Sequence, residues 1–188
     1  MSQAYKITDQ QAAYFITLQV VQWADIFSRK IYRDIVIDSL QFCQKNKGLE
    51  VYAYVIMSNH MHLLVRASNS NLSSILRDLK RHTSKKIIET IQNESESRRE
   101  WLLMIFRYAA SKHSRNNEFQ VWTHENHAEE IFSNKFIEQK IHYIHQNPVR
   151  SGIVEKAEDY LYSSARNYAD LESKIDVCKV NFRWITVK

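Results

Sequence analysis

The stretch Leu49-Glu50-Val51-Tyr52-Ala53-Tyr54-Val55-Ile56-Met57, Ser58-Asn59, His60-Met61-His62-Leu63-Leu64-Val65-Arg66-Ala67 decides how this chain is read. Two runs rich in β-branched and aromatic residues flank a two-residue polar break, the pattern of a hairpin with strands over 49–57 and 60–67. His60 and His62 are two residues apart in the second strand, so their side chains leave the same face. Two imidazoles converging from one strand are a candidate pair of ligands for one cation, with a third ligand still to be found. The chain has eight histidines, so such a pair also arises as two ordinary strand residues.

Working outward, residues 13–21 read as a buried or half-buried strand. Residues 29–46 carry Ile31, Ile35, Leu40, Phe42 and Cys43 at helical spacing before Asn46-Lys47-Gly48 closes the segment. After the hairpin, Ser70 or Asn71 caps a predicted helix running to about residue 91. Its Leu72, Ile75, Leu76, Leu79 and Ile87 share one side, while Arg77, Lys80, Arg81 and Lys85 share the other. Residues 93–100 read as loop, 101–113 as helix, 112–117 as polar loop and 119–122 as a short fourth strand. A last helix is predicted from about 129 to 147, ended by Asn147-Pro148. The tail holds Tyr160-Leu161-Tyr162-Ser163-Ser164 and a final apolar run able to add a strand. This order is that of a ferredoxin-like α+β sandwich, an antiparallel sheet with helices on one face, with an added tyrosine-bearing helix. A single domain spans 1–188, with a core of about 13–168 and a C-terminal extension over 169–188.

Composition narrows the class. In 188 residues, 44% apolar and 12% aromatic side chains suffice for one sizeable core. A formal charge of +5 and a pI near 9.1 lean toward polyanionic partners. Cys43 and Cys178 match no zinc or redox spacing, which points to a reducing compartment, and no apolar run is long enough to span a membrane. A cytoplasmic protein is expected.

On the helix predicted at 129–147, Ile137, Ile141 and Ile144 gather on one side, and Phe136, Gln139, Tyr143 and Asn147 on the other. Tyr143 therefore points away from the apolar stripe. Tyrosine can attack phosphorus as a phenolate, but a phenol with an ordinary pKa of about 10 needs help at neutral pH. A divalent metal on the histidines supplies part of that help by polarising the phosphate. Asn147, one turn beyond Tyr143, is a candidate third ligand, although Asn before Pro is also an ordinary helix terminator.

These residues carry a resemblance. Met57-Ser58-Asn59-His60-Met61-His62-Leu63-Leu64-Val65 resembles the His-hydrophobic-His signature of single-tyrosine HUH transposases. Tyr143-Ile144-His145-Gln146-Asn147-Pro148-Val149-Arg150 resembles the tyrosine helix of their REP-associated branch. Leu79–Ile87, Phe119–Trp122 and Tyr162–Arg166 are similar to further blocks of that family, in its order. The resemblance covers about residues 13–168. It implies a transposase-like enzyme that nicks and transfers single-stranded DNA next to hairpins, on a ferredoxin-like core, as a monomer or homodimer. It also implies that Tyr143 is the nucleophile, forming a 5′-phosphotyrosine link and freeing a 3′-hydroxyl. His60 and His62 would bind Mg²⁺ or Mn²⁺. Asn147 matches the position of the third ligand, often glutamine in the wider superfamily, so Asn147 and its neighbour Gln146 both remain candidates.

The basic face of the 71–91 helix (Arg77, Lys80, Arg81, Lys85) and Arg150 are candidate phosphate contacts. Tyr108, Tyr160 and Tyr162 are candidate stacking residues, each with an alternative packing role. Two rival readings stand beside this one. A non-catalytic ferredoxin-like nucleic-acid-binding module would not need the Tyr143 hydroxyl. A metal-dependent hydrolase would use activated water and leave no protein adduct.

Overall fold

The computed structural model describes residues 6–69, 71–112 and 118–180. The elements are β1 (Tyr14–Gln19), α1 (Lys30–Lys47), β2 (Leu49–Ile56), β3 (His60–Ala67), α2 (Leu72–Asn93), α3 (Arg99–Ser111), β4 (Glu129–Glu130), α4 (Asn134–Arg150) and α5 (Ala165–Tyr168). All strand pairs are antiparallel and the order across the sheet is β2-β3-β1-β4, the split arrangement of ferredoxin-like folds. The α+β expectation therefore holds.

The hairpin forms where the sequence places it. Asn59 and Ser58 also tie the turn to the preceding loop, through Val20 N–H to Asn59 O (2.9 Å) and Phe27 N–H to Ser58 O (2.8 Å). α1 stops at Gly48, whose φ of 70° gives the left-handed C-cap that glycine adopts without strain. A side chain there would also collide with Ser68 Oγ.

Alternation along β1 assigns the two faces. Phe15 and Thr17 share a side with His62, and Tyr143 of α4 packs on Phe15 and His62, so α4 covers that face. Val20 has the parity of Ile16 and Leu18 and bridges Trp122, whose indole N–H donates to Thr83 on α2 at 2.9 Å. α2, with α1 beside it, therefore covers the other face. The tyrosine helix lies across the sheet from the main helical layer.

Three expectations are corrected. Residues 119–122 form no strand ladder: Trp122 makes one bridge, with Val21 N–H to Val121 O and Thr123 N–H to Gln19 O at 2.9 Å. The edge of β1 is then served by Asn126 O and by β4, which lies where the last helix was expected to begin. α4 starts later because Ser133 caps it, its Oγ accepting from Phe136 N–H at 3.2 Å. It also ends later, running through a buried Pro148 to Arg150. In the last turn a proline forfeits a single helical N–H, and here its ring packs in the core.

In the tail, the free edge of β2 is covered by residues 162–164, through Ile56 N–H to Tyr162 O (3.0 Å) and Ser164 N–H to Tyr54 O (2.9 Å), and further on by Cys178 N–H to Val51 O (2.8 Å). No strand forms among the described residues of the extension. The Ser70 cap, most of the 112–117 loop and the end of the final apolar run, at 181–188, lie outside the described residues.

The loop between α2 and α3 is fixed by Glu96, whose side chain is fully buried. It accepts from Arg29 (2.7 Å), the Tyr32 hydroxyl (2.8 Å) and Arg98 N–H (3.0 Å), and Arg98 reaches on to Asp25 (2.7 Å). Burial alone would raise the carboxyl pKa, but these donors outweigh it and hold it down to about 2. A carboxylate depressed in the fold stabilises it above its unfolded pKa, and that contribution is lost as pH falls through the folded value. Glu96→Gln is expected to cost about 3 kcal/mol at pH 7, with the gap to wild type closing as pH falls from roughly 4.5 toward 2. Urea unfolding across that range checks it, and a pH-independent difference would refute the assignment.

Candidate active site

β3 and β1 build the floor. Thr17 lies directly across from His62, and Thr17 Oγ1 is 2.9 Å from His62 Nδ1. His62 is 5% exposed, and its Nε2 is buried with no hydrogen-bond partner. An orphaned polar atom of this kind costs about 1–3 kcal/mol, so its retention calls for a use. Burial, then the neighbouring His60 and Lys140, push the imidazole pKa down to about 3, so the ring is neutral at neutral pH. With the proton on Nδ1, where Thr17 Oγ1 accepts it, Nε2 presents a lone pair.

His60 repeats the arrangement. Its Nδ1 lies 2.7 Å from Asn59 Oδ1, an atom that can only accept, so Nδ1 carries the proton and Nε2 the lone pair. Burial lowers the His60 pKa as well. The two rings stand 4.8 Å apart at 69°. Two neutral imidazoles, each with a polar partner holding the second nitrogen, are a donor set suited to a divalent cation. Among the described residues no three His, Cys, Asp or Glu side chains gather here, so any further protein ligand would come from another residue type.

Tyr143 completes the group. Its ring packs at 5.2 Å from His62 and 5.9 Å from Phe15, and Phe15 in turn stacks on His62 at 5.3 Å. The residue remains 38% exposed. It sits at the border of the apolar stripe rather than opposite it: buried Ile141 and Ile144 face the sheet, and Tyr143 leans over the histidine end. Because α4 continues past Pro148, Arg150 falls about two turns after Tyr143 on the same side, its guanidinium 5.6 Å from the phenol ring centre. Lys140 lies 4.1 Å from the Phe15 ring centre and pairs with Glu129 at 2.8 Å.

The other candidate residues are placed as follows. Asn147 and Gln146 are half-buried on α4, one turn or less beyond Tyr143. Arg77, Arg81 and Lys85 project from the outer side of α2, in the helical layer across the sheet from Tyr143. Lys80 turns inward, donating to Thr123 O (2.7 Å), His124 O (3.2 Å) and Asn126 Oδ1 (2.9 Å), and burial brings its pKa down to about 8. It pins the loop that leads into β4. Tyr160 and Tyr162 are buried, donating to Ile56 O and Asp34, so they pack rather than present faces.

Sequence reasoning missed the residues that orient the site. Asn59 adjoins His60 and was visible in the hairpin turn. Thr17 was not, because strand register across 45 residues leaves no local mark. The Tyr162–Arg166 block finds a physical role here. Ser164 Oγ accepts from Tyr54 N–H and lies 2.9 Å from His145 Nε2, joining α4 to β2.

The chain matches the family described as IS200-like transposases over residues 10–140, a span that includes both histidines and ends just before Tyr143. No curated protein sequence matches. A solved structure of a REP associated tyrosine transposase bound to a REP hairpin superposes with a TM-score of 0.60 at 17% identity, covering 100% of this chain and 98% of that one. That likeness establishes the fold, and both matches fall where the tyrosine-transposase resemblance pointed. Spanning well over half of its length, the family match makes this chain a member of the IS200-like transposases.

Proposed function

We propose that this transposase nicks and transfers single-stranded DNA beside a hairpin, with Tyr143 as nucleophile and His60 and His62 as metal ligands. The observation that carries it is the packing of the Tyr143 ring on an imidazole whose buried Nε2 has no partner. The hairpin held by the similarly folded REP associated transposase supports the substrate class.

The step balances as a transesterification. The Tyr143 oxygen bonds to the 5′ phosphorus, the P–O3′ bond breaks, and the phenolic proton is passed on so that the departing strand ends as a 3′-hydroxyl. Reversal by a different 3′-hydroxyl joins strands. Arg150, over the phenol ring, offers a cation to the phosphate. His60 and His62 would hold the metal through Nε2, with Asn147 or Gln146 as the third ligand. When bound, Mg²⁺ or Mn²⁺ polarises the scissile phosphate. Arg77, Arg81 and Lys85 are assigned to flanking duplex phosphates on the far side of the sheet, where they steer and hold rather than react. Lys80 supports the same interface by fixing the 123–126 loop.

Wild-type protein incubated with labelled hairpin-flanked oligonucleotides and Mn²⁺ is expected to give a covalent DNA–protein band on a denaturing gel. The band is expected to vanish with Tyr143→Phe or a chelator. An adduct surviving Tyr143→Phe would overturn the assignment, and product without adduct would favour a hydrolase using water. Hairpin binding without any cleavage by wild type would favour a non-catalytic binding module.

Thr17→Val keeps the shape of β1 but frees His62 Nδ1. It is expected to weaken Mn²⁺ affinity roughly ten- to a hundredfold in calorimetric titration, the usual cost of losing a partner that orients a ligand. Unchanged affinity would argue that His62 is not a ligand.

A further inference from the structure

Beyond His60 the row of rings continues. Trp23 meets His60 edge-on at 6.4 Å, so the rings run Tyr143, His62, His60, Trp23. Trp23 is 61% exposed, an unusual position for an indole beside a polar site. Its backbone is strained as well: Gln22 and Trp23 both have positive φ, at 54° and 55°, a region bulky side chains rarely enter. Two consecutive residues of this kind persist only where the surroundings enforce them. Here Trp23 N–H donates to Val20 O and Ala24 N–H to Val21 O, while Asn59 Nδ2 donates to Trp23 O at 3.4 Å. The same Asn59 amide accepts from His60 Nδ1. One carboxamide thus fixes the indole's backbone and the imidazole together.

We propose that Trp23 is a stacking platform for one unpaired nucleobase, that of the nucleotide on the 5′ side of the cleaved phosphodiester. An exposed, rigidly held indole face matches a base of any identity and gains most from a single strand, whose bases are unstacked. The choice of nucleotide follows from in-line displacement. The leaving 3′-oxygen departs opposite the attacking phenol oxygen, and Trp23 lies across the histidines from Tyr143. Trp23 therefore grips the strand that leaves with the free 3′-hydroxyl, keeping it available for rejoining. This inference rests on the assignment of Tyr143 as nucleophile.

The test uses Tyr143→Phe protein, which binds without reacting, and hairpin-flanked oligonucleotides carrying 2-aminopurine at single positions around the bond that wild type cleaves. Fluorescence is expected to be quenched at the nucleotide 5′ to that bond and not at its 3′ neighbour. Adding Trp23→Ala should abolish the quenching and weaken binding roughly tenfold or more, while Trp23→Phe retains most of both. Circular dichroism verifies that each variant is folded, and if Trp23→Ala is not, the comparison of Trp23→Phe and Trp23→Leu decides between ring and mere bulk. Quenching unaffected by loss of the ring, or quenching only on the 3′ side, overturns the proposal while leaving wild-type adduct formation intact. Absence of the wild-type adduct overturns the nucleophile assignment, and this inference with it.

Discussion

The register between β1 and β3 is the constraint on which the site depends. It sets Thr17 opposite His62, so that the hydroxyl engages Nδ1 and leaves Nε2 for another partner. A slip of one residue would turn both histidines toward α1 and α2 and leave Tyr143 facing Met61 and Leu63. The register is secured by burial on both faces: Ile16, Leu18, Leu63 and Val65 are fully buried on the side of α1 and α2, and Phe15 and Leu64 are buried on the side of the histidines. A buried, unpartnered His62 Nε2 is tolerated because the surrounding apolar packing supplies the stability that the orphan nitrogen takes away.

The proposed mechanism needs Tyr143 held above the two histidines, and that placement depends on the end of the chain. α4 rests on the sheet through Ile141, Ile144 and Pro148, while the Ser164 hydroxyl ties His145 to the backbone of β2. Tyr160 and Tyr162 fasten the same segment to Ile56 O and Asp34. Those contacts cover the β2 edge, which would otherwise expose unpaired amides, and they fix the height of the tyrosine helix in the same stroke.

What the sequence disclosed follows from how far each signal travels. β2, β3 and α2 were readable because period-two and period-3.6 patterns are local, and every residue the helical wheel gathered on α2 is buried, with Thr83, Ile88 and Ile91 joining them. β4 was not readable: two glutamates with no alternation are a strand only because Tyr14 and Phe15 need partners. Lys80 had the spacing of the basic face, but a wheel cannot show that the chain at 123–126 passes within its reach. His60 and His62 stood out as a pair, whereas their orienting partner Thr17 is set by register alone. Trp23 carries no sequence mark of its own, since nothing in Gln22-Trp23 as residue types foretells positive φ.

Charge placement divides the labour between the two faces. At the site the cations are few and committed: Arg150 lies over the phenol, and Lys140 is paired with Glu129. Arg77, Arg81 and Lys85 lie in the helical layer beyond the sheet, where solvent and salt screen them from the scissile phosphate. A backbone tracked only by that layer would never meet Tyr143. The proposed substrate, a hairpin with a single-stranded flank, suits this geometry better than either form alone, since its duplex would engage charge at a distance while its unpaired strand bends into a site of rings and neutral imidazoles. On that proposal affinity and chemistry draw on different parts of the molecule, so salt should weaken the first far more than it slows the second once DNA is bound.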